Sequence, residues 1–314
     1  MTATIETEHL TKRYWRREAV TDLDLRIPEG QCVALLGPNG AGKSTTLKML
    51  VNLIEPTGGR ALVLGQDSRD LDVSQLRRIG YVSENQELPG WLTIRQFLDY
   101  LSPLYPTWDR DFCEQLLTDF DLDPKQKLKQ LSRGQRMKAA LVGSIAYRPK
   151  LLILDEPFSG LDPLVRDEFI DGVLAVSGEE GWTVLVASHD IEEVERLADS
   201  IAILNRGRLA LSESIDDLRS RFRQVDLTLD PDSGTQAPPP PSWLQWRQEN
   251  GRARFVDSTF EGSESDYRLK LGQILGADPV RGAEIKSLSL REIFLVLARE
   301  YRLSNSHLET ASKS

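Results

Sequence analysis

Two short runs hold the residue types that phosphate chemistry needs. The first is Gly37-Pro38-Asn39-Gly40-Ala41-Gly42-Lys43-Ser44, followed by Thr45. It fits the pattern G-x-x-x-x-G-K-[ST]. Glycines let backbone N–H groups turn toward one centre and approach a phosphate closely. A helix expected to open at Lys43-Ser44 adds its positive end to that site. Lys43 is placed to neutralise β- and γ-phosphates, and the Ser44 hydroxyl to ligate Mg2+. The chemistry expected here is nucleotide binding.

The second run, Leu151-Leu152-Ile153-Leu154-Asp155-Glu156-Pro157, is an apolar strand ending in two acids. Adjacent side chains of a strand point to opposite sides. Asp155 is therefore expected to hold Mg2+, directly or through water. Glu156 then faces the ligand crevice at the carboxyl end of a parallel strand, where it can polarise a water for in-line attack on a γ-phosphate. A third run, Leu131-Ser132-Arg133-Gly134-Gln135, precedes a helix. Ser132 is a good N-cap, and the N–H groups after it form another anion site. A helix cap suffices locally. A second phosphate site is redundant within one pocket, which suggests that it serves a different nucleotide.

In order and spacing, these runs resemble the ATPase subunits of ABC transporters over about residues 4–220. Gly37–Ser44 looks like the Walker A loop, Leu131–Gln135 like the LSGGQ signature and Leu151–Glu156 like Walker B. Ser159-Gly160-Leu161-Asp162 resembles the D-loop, and Ser188-His189-Asp190 the switch-histidine loop. The resemblance implies ATP and Mg2+ as cofactors and an ATPase in which Lys43, Glu156 and His189 are catalytic. It implies nucleotide contacts from Tyr14, from Gly37 through Thr45, and, across a head-to-tail dimer, from the Ser132, Gly134, Gln135 and Asp162 of the other subunit. Tyr14 sits where the family stacks an aromatic on adenine, with Trp15 as the alternative.

Two positions depart from the family pattern. The glutamine that should follow the strand Ile79–Val82 is replaced: Ser83-Glu84-Asn85-Gln86 puts Glu84 at the expected place and Gln86 two residues on. A carboxylate also ligates Mg2+, so the metal set expected is Ser44, Glu84 and Asp155. The signature's middle glycine is Arg133, expected to be solvated.

These residues need elements to hold them. Short apolar runs alternate with helical patterns through residue 215, which predicts βαβ units and a parallel sheet. Gln31–Leu36, Leu151–Leu154, Thr183–Ala187 and Ile201–Leu204 read as core strands, and Ser44–Leu53 as a helix. Asn205-Arg206-Gly207 is a hairpin signal leading into Arg208–Leu211. Residues 85–148 have no strand-like runs and read as a helical insert with helices at Ile94–Leu101, Trp108–Phe120 and Gly134–Tyr147. The fold expected is α/β: a P-loop NTPase-like, mostly parallel sheet with a helical insert, plus a small C-terminal α+β domain. The boundary is expected at 225/226.

In the second domain, the proline tract within Asp230–Ser242 reads as a linker. Trp243–Gln248 and Arg252–Val256 look strand-like, Ser265–Leu275 and Leu290–Tyr301 helical, and the stretch from Ser304 onward a frayed tail. By resemblance, Ser287–Leu297 tilts the expectation toward an exporter.

Composition bounds the partners. No apolar run approaches the roughly 20 residues of a membrane span, and the N-terminus has no secretion-signal core. Cys32 and Cys113 fit no zinc or disulfide framework and are expected to be buried apolar residues. Lys and Arg total 39 against 48 Asp and Glu, a formal charge of −9, so no basic stripe for nucleic acid is expected. The partners expected are an integral membrane permease and a second ATPase subunit, a homodimer rather than a heterodimer. The location expected is peripheral, on the cytoplasmic face of the cell membrane. Trp91, Leu92 and Phe97 are candidates for the permease contact. The alternative is a soluble ABC ATPase acting on a ribosome or another cytosolic assembly, which the single phosphate loop and acidic balance disfavour.

Overall fold

The computed structural model describes residues 2–15, 17–229, 238–275 and 280–311. Two compact units, Met1–Ser212 and Glu213–Ser314, divide the chain. In order, the first contains β1 (Ala3–Tyr14), β2 (Arg17–Leu23), β3 (Arg26–Pro28), β4 (Cys32–Leu36), α1 (Lys43–Leu50), β5 (Gly58–Val63), β6 (Gln66–Asp67), α2 (Val73–Leu76) and β7 (Ile79–Val82). Next come α3 (Ile94–Leu101), α4 (Arg110–Asp119), α5 (Arg133–Ile145), β8 (Leu151–Asp155), α6 (Pro163–Glu180), β9 (Thr183–Ser188), β10 (Ser200–Asn205) and β11 (Arg208–Ser214).

Among the described residues, the site-bearing sheet has six strands in the order β11-β10-β4-β9-β8-β7. β10, β4, β9, β8 and β7 pair in parallel. The apolar runs CVALL, LLILD and TVLVAS are buried along their whole length, as strands covered on both faces must be. Alternation divides them. Val33, Leu35, Ile153 and Leu185 pack with Leu47 and Leu50 of α1 and with Ile5, Val20, Ile27 and Val63. Ala34, Leu36, Leu152, Leu154, Val184 and Val186 are buried on the opposite side. The turn into β11 has positive φ at both Arg206 and Gly207, the geometry of a two-residue type I′ hairpin.

A second, antiparallel sheet, β2-β1-β5-β6 with β3 also on β1, has no counterpart in the sequence-based reading. Its long strand β1 breaks register between Leu10 and Lys12 and again between Lys12 and Arg13, which erases the clean alternation that marks a strand. Helices α3, α4 and α5 form the expected insert, and α3 has the predicted bounds. Within it Phe97 is buried, lying against Gly143. That removes Phe97 as a surface contact, whereas Trp91 is 76% exposed, with Tyr100 and Leu104 exposed as well.

The second unit holds α7 (Ile215–Arg221), β12 (Arg223–Leu229), β13 (Trp243–Glu249), β14 (Arg252–Asp257), α8 (Glu264–Leu275), β15 (Val280–Ser287) and α9 (Leu290–Ala311). Its sheet, β13-β14-β12-β15, is antiparallel. Val225, Leu227, Trp243, Phe255, Tyr267 and Leu271 form its core. Buried Asp257 accepts from the Tyr267 hydroxyl and from the Thr259 N–H and hydroxyl. The expected linker falls in part on residues 230–237, outside the described residues. The frayed tail is corrected: α9 continues to Ala311, and only 312–314 lie outside.

Candidate functional site

Parallel pairing brings four strand ends together. Leu36 of β4 is in register with Ser188 of β9, Ala187 of β9 with Asp155 of β8, and Leu154 of β8 with Val82 of β7. The loops that leave these ends carry the phosphate-loop glycines, His189, Glu156 and Glu84. Ligands bind outside the carboxyl ends of such strands.

The phosphate loop is held by close backbone approach. A Cβ at Gly42, where φ is +108°, would lie 2.4 Å from the Ala19 carbonyl oxygen. One at Gly37 would lie 2.4 Å from the Leu204 carbonyl oxygen. Both positions therefore require glycine on space alone. Gly42 is also the N-cap of α1 and supplies no side-chain cap. The first-turn N–H groups have no partner within the helix, and Lys43, Ser44 and Thr45 line the cavity at the loop. Lys43, 5% exposed, reaches under the loop: its Nζ donates to the Gly37 carbonyl at 2.7 Å and pairs with Glu156 Oε1 at 3.0 Å.

Glu156 is the hub of the site. It is buried, with φ +49°, a left-handed turn that few non-glycine residues adopt. The turn releases its side chain from the alternation of β8 and aims it at Lys43. Its other oxygen lies 2.8 Å from His189 Nδ1. A carboxylate only accepts, so Nδ1 carries the proton here. The loop holding His189 is fixed by Ser188, whose hydroxyl donates to buried Glu193 and accepts from the Asp190 N–H. Sequence reasoning placed Ser188 in this loop without a role and missed Glu193, because hydroxyl–carboxylate contacts have no spacing signature.

Ser44 donates from its hydroxyl to Asp155 Oδ1 at 2.9 Å. Burial pushes the Asp155 carboxyl above its ordinary range; the Ser44 bond opposes this, and the Glu156 and Glu84 charges add to it. Asp155 also contributes to the rise of Tyr81, pushed up to about 12, chiefly by burial. Ser44 and Asp155 in direct contact, with Glu84 at the edge of the neighbouring cavity, offer oxygen ligands, the kind Mg2+ takes. A cation there relieves the charge that burial penalises.

A cavity of about 330 Å3 is lined by Tyr14, the stretch from Asn39 to Thr45, Glu84 and Glu156. It also brings in Arg17, whose guanidinium reaches the Gly40 carbonyl; a single arginine after the aromatic carries no pattern that would have marked it. Trp15, 99% exposed, points elsewhere and borders Thr11, Arg13 and Thr57 instead. Of the two aromatics, Tyr14 stands at the phosphate loop. Glu84 borders this cavity, whereas Gln86 does not and turns back to accept from the Ser83 N–H.

The remaining predicted residues do not border this cavity. Ser132 caps α5 and forms a reciprocal pair with Gln135: Ser132 Oγ accepts from the Gln135 N–H, and Gln135 Oε1 from the Ser132 N–H. Gly134 lies against Val165, which a Cβ would meet at 2.6 Å. Asp162 caps α6 through the Val165 N–H. Arg133 is not simply solvated. It is half-exposed, with Nη2 3.7 Å from Glu84 Oε1. Cys32 and Cys113 are buried thiols, with Cys113 pushed up to about 11, chiefly by burial.

Comparison with known proteins places the chain in a family. The family model described as ABC transporter matches residues 20–159. The osmoprotectant import ATP-binding protein OsmV of Salmonella typhimurium is 35% identical over 69% of this chain, which spans 60% of that protein's length. The bacitracin transport ATP-binding protein BcrA of Enterococcus faecalis is 32% identical, over 70% of this chain and 72% of that protein. The uncharacterised ABC transporter ATP-binding protein YhaQ of Bacillus subtilis is 29% identical over 92% of this chain and 96% of its own. Among solved structures, an ATP-binding subunit of an ABC transporter superposes with a TM-score of 0.63 at 30% identity, over 69% of this chain and 92% of that one. A dimeric post-hydrolysis ATP-binding cassette bound to ADP and Pi superposes with a TM-score of 0.61 at 27% identity, over 67% of this chain and 98% of that one.

Proposed function

The chain belongs to the ATP-binding subunits of ABC transporters, and from that premise we propose that it is the motor of an exporter, hydrolysing ATP to drive substrate out through a separate membrane permease. The observation that carries the motor reading is Glu156, buried between Lys43 and His189 at the end of β8. Its carboxylate holds and deprotonates the attacking water. The His189 Nδ1–H orients that carboxylate. Lys43 and the N–H groups of the phosphate loop take the charge of the β- and γ-phosphates. Ser44, Asp155 and Glu84 are the residues that would hold Mg2+, which when bound neutralises charge on the β- and γ-oxygens.

Tyr14 is the adenine-stacking residue of this reading. Ser132, Gly134, Gln135 and Asp162 serve the nucleotide of a second, identical subunit, which accounts for their standing away from this chain's own cavity. Trp91, Tyr100 and Leu104, exposed apolar residues on the helical insert, are the permease-facing candidates. Among the described residues no helix is long and apolar enough to cross a membrane. The membrane path therefore belongs to another chain in this reading, and the motor sits on the cytoplasmic face. The outward direction is supported by the C-terminal unit that ends in α9; the osmoprotectant import relative points the other way.

The test is to trap the complex. A tagged Glu156→Gln chain, expressed in its own cell and solubilised gently with Mg-ATP, should retain a stoichiometric multi-span membrane protein. A preparation holding only ribosomal or other cytosolic partners overturns the transporter reading. A second, different ATPase in the complex overturns the homodimer.

A further inference from the structure

The two departures from the family pattern touch each other. Glu84 follows β7 and Arg133 opens α5, 49 positions apart in the sequence, yet Arg133 Nη2 lies 3.7 Å from Glu84 Oε1. The same oxygen accepts from the Ser159 hydroxyl at 3.1 Å. Gly160, the next residue, has φ +68°, and a Cβ there would lie 2.8 Å from Arg133 Nη1 and 3.2 Å from Cζ. The guanidinium thus rests on the bare backbone of Gly160. The first residue of α5 and the loop before α6 meet at one carboxylate in the loop after β7.

Charge gives the contact its purpose. Glu84 borders the phosphate-loop cavity together with Glu156, and Asp155 lies close by. Of the cations lining this cavity, Lys43 is already paired with Glu156, and Arg17 reaches the Gly40 carbonyl at the opposite part of the phosphate loop. A third carboxylate at the cavity edge repels a polyphosphate unless a counter-charge accompanies it. We propose that Arg133 is that counter-charge: a positioning residue that, with Ser159, anchors Glu84 through Oε1, leaves Oε2 to face Mg2+, and limits the net negative charge the cavity presents to Mg-nucleotide. On this account the glycine-to-arginine change in the signature turn compensates the glutamine-to-glutamate change after β7. The proposal deepens the nucleotide-motor reading and rests on it.

A double-mutant cycle on the full chain tests it. The readout is equilibrium binding of the non-hydrolysable nucleotide Mg-AMP-PNP to the wild type, Arg133→Met, Glu84→Gln and the double variant. Thermal unfolding of each checks that it is folded. The pair is half-exposed, so Arg133→Met is expected to raise Kd by about two- to fivefold. In the Glu84→Gln background the same substitution should change Kd by less than about 1.5-fold, within the scatter of independent sites. Arg133→Lys, which keeps the charge, should stay nearer the wild type than Arg133→Met. The coupling should shrink at high salt, where half-exposed charges are screened.

An equal change in both backgrounds overturns the proposal, because Arg133 then acts directly on nucleotide. No change in either background, or tighter binding by Arg133→Met, overturns it as well. If Arg133→Met fails to fold, the Arg133→Lys comparison in both backgrounds decides in its place: a charge-retaining change that weakens binding as much in the Glu84→Gln background as in the wild type also overturns it. Absence of binding in every variant and the wild type takes down the nucleotide-site reading, and the pair with it.

Discussion

Glu156 illustrates what a single residue does in this site. Its type and place after an apolar strand mark it as a general-base candidate. Its left-handed backbone and its two partners, Lys43 and His189, become visible only in three dimensions. Glu156→Gln keeps the volume and one accepting oxygen but cannot take a proton. Phosphate release should fall by about 10²- to 10⁴-fold, the range of general acid–base contributions, while Mg-nucleotide binding persists; a coupled phosphate-release assay and a binding titration separate the two. Gly42 makes the opposite point, since its role is to be absent. Gly42→Ala pushes a Cβ to 2.4 Å from the Ala19 carbonyl at φ +108°. A residue strained in this way costs about 1–3 kcal/mol, and the clash with backbone adds to it, so Mg-nucleotide affinity should drop, as the same titration would show. The glycines and acids were legible because motif chemistry fixes residue type and spacing. Arg17 and the Arg133–Glu84 contact were not, because each depends on which loops the sheet brings together.

At the scale of elements, the helical insert shows how local chemistry fixes a helix. Asp109 caps α4: its Oδ1 accepts from the Phe112 N–H, and its Oδ2 from Arg148 Nε at 3.0 Å. The Phe112 N–H and then the Arg148 guanidinium hold its carboxyl below the usual range. A carboxyl depressed in the folded state stabilises above its unfolded pKa of about 3.9, and that stability is lost as pH falls through the lower folded value. Asp109→Ala should therefore cost about 1 kcal/mol at neutral pH, with the gap from the wild type closing below about pH 4; urea titrations at pH 7 and pH 3 compare the two. α6 makes the corresponding demand on packing. A Cβ at Gly172 would meet Phe120 ring atoms at 2.4 Å, so Gly172→Ala overpacks the site and should cost about 1–3 kcal/mol by the same titration. Elements whose environment is uniform were readable from sequence: β4, β8 and β9 are buried on both faces and appear as unbroken apolar runs. β1 and β5 were not. One has register shifts along it, and the other opens on Gly58-Gly59, which reads as the end of a helix.

The whole molecule carries a formal charge of −9, and the head-to-tail pairing proposed for it must work against that charge. Two copies approach with like net charge, so long-range repulsion opposes the encounter. The residues assigned to the partner's nucleotide are the exposed cap of α5, Ser132, and the nearby turn ending at Asp162, with Leu164 exposed just beyond it. This surface sets Arg133 and Arg136 against Asp162, and closure is expected to depend on the nucleotide at the joint. The Glu156→Gln chain should be monomeric without nucleotide and dimeric with Mg-ATP, as read by sedimentation velocity. Raising the salt from about 10 mM to about 150 mM shortens the Debye length from about 30 Å to about 8 Å. This removes the repulsion between the two acidic surfaces but leaves short-range nucleotide contacts largely in place, so the dimer fraction should rise with salt over that interval. Ser132→Arg places a bulky side chain at the joint and should abolish the dimer at every salt. A dimer that forms without nucleotide, or survives Ser132→Arg, means that the subunits pair through a different surface and that the cap of α5 serves only its own helix.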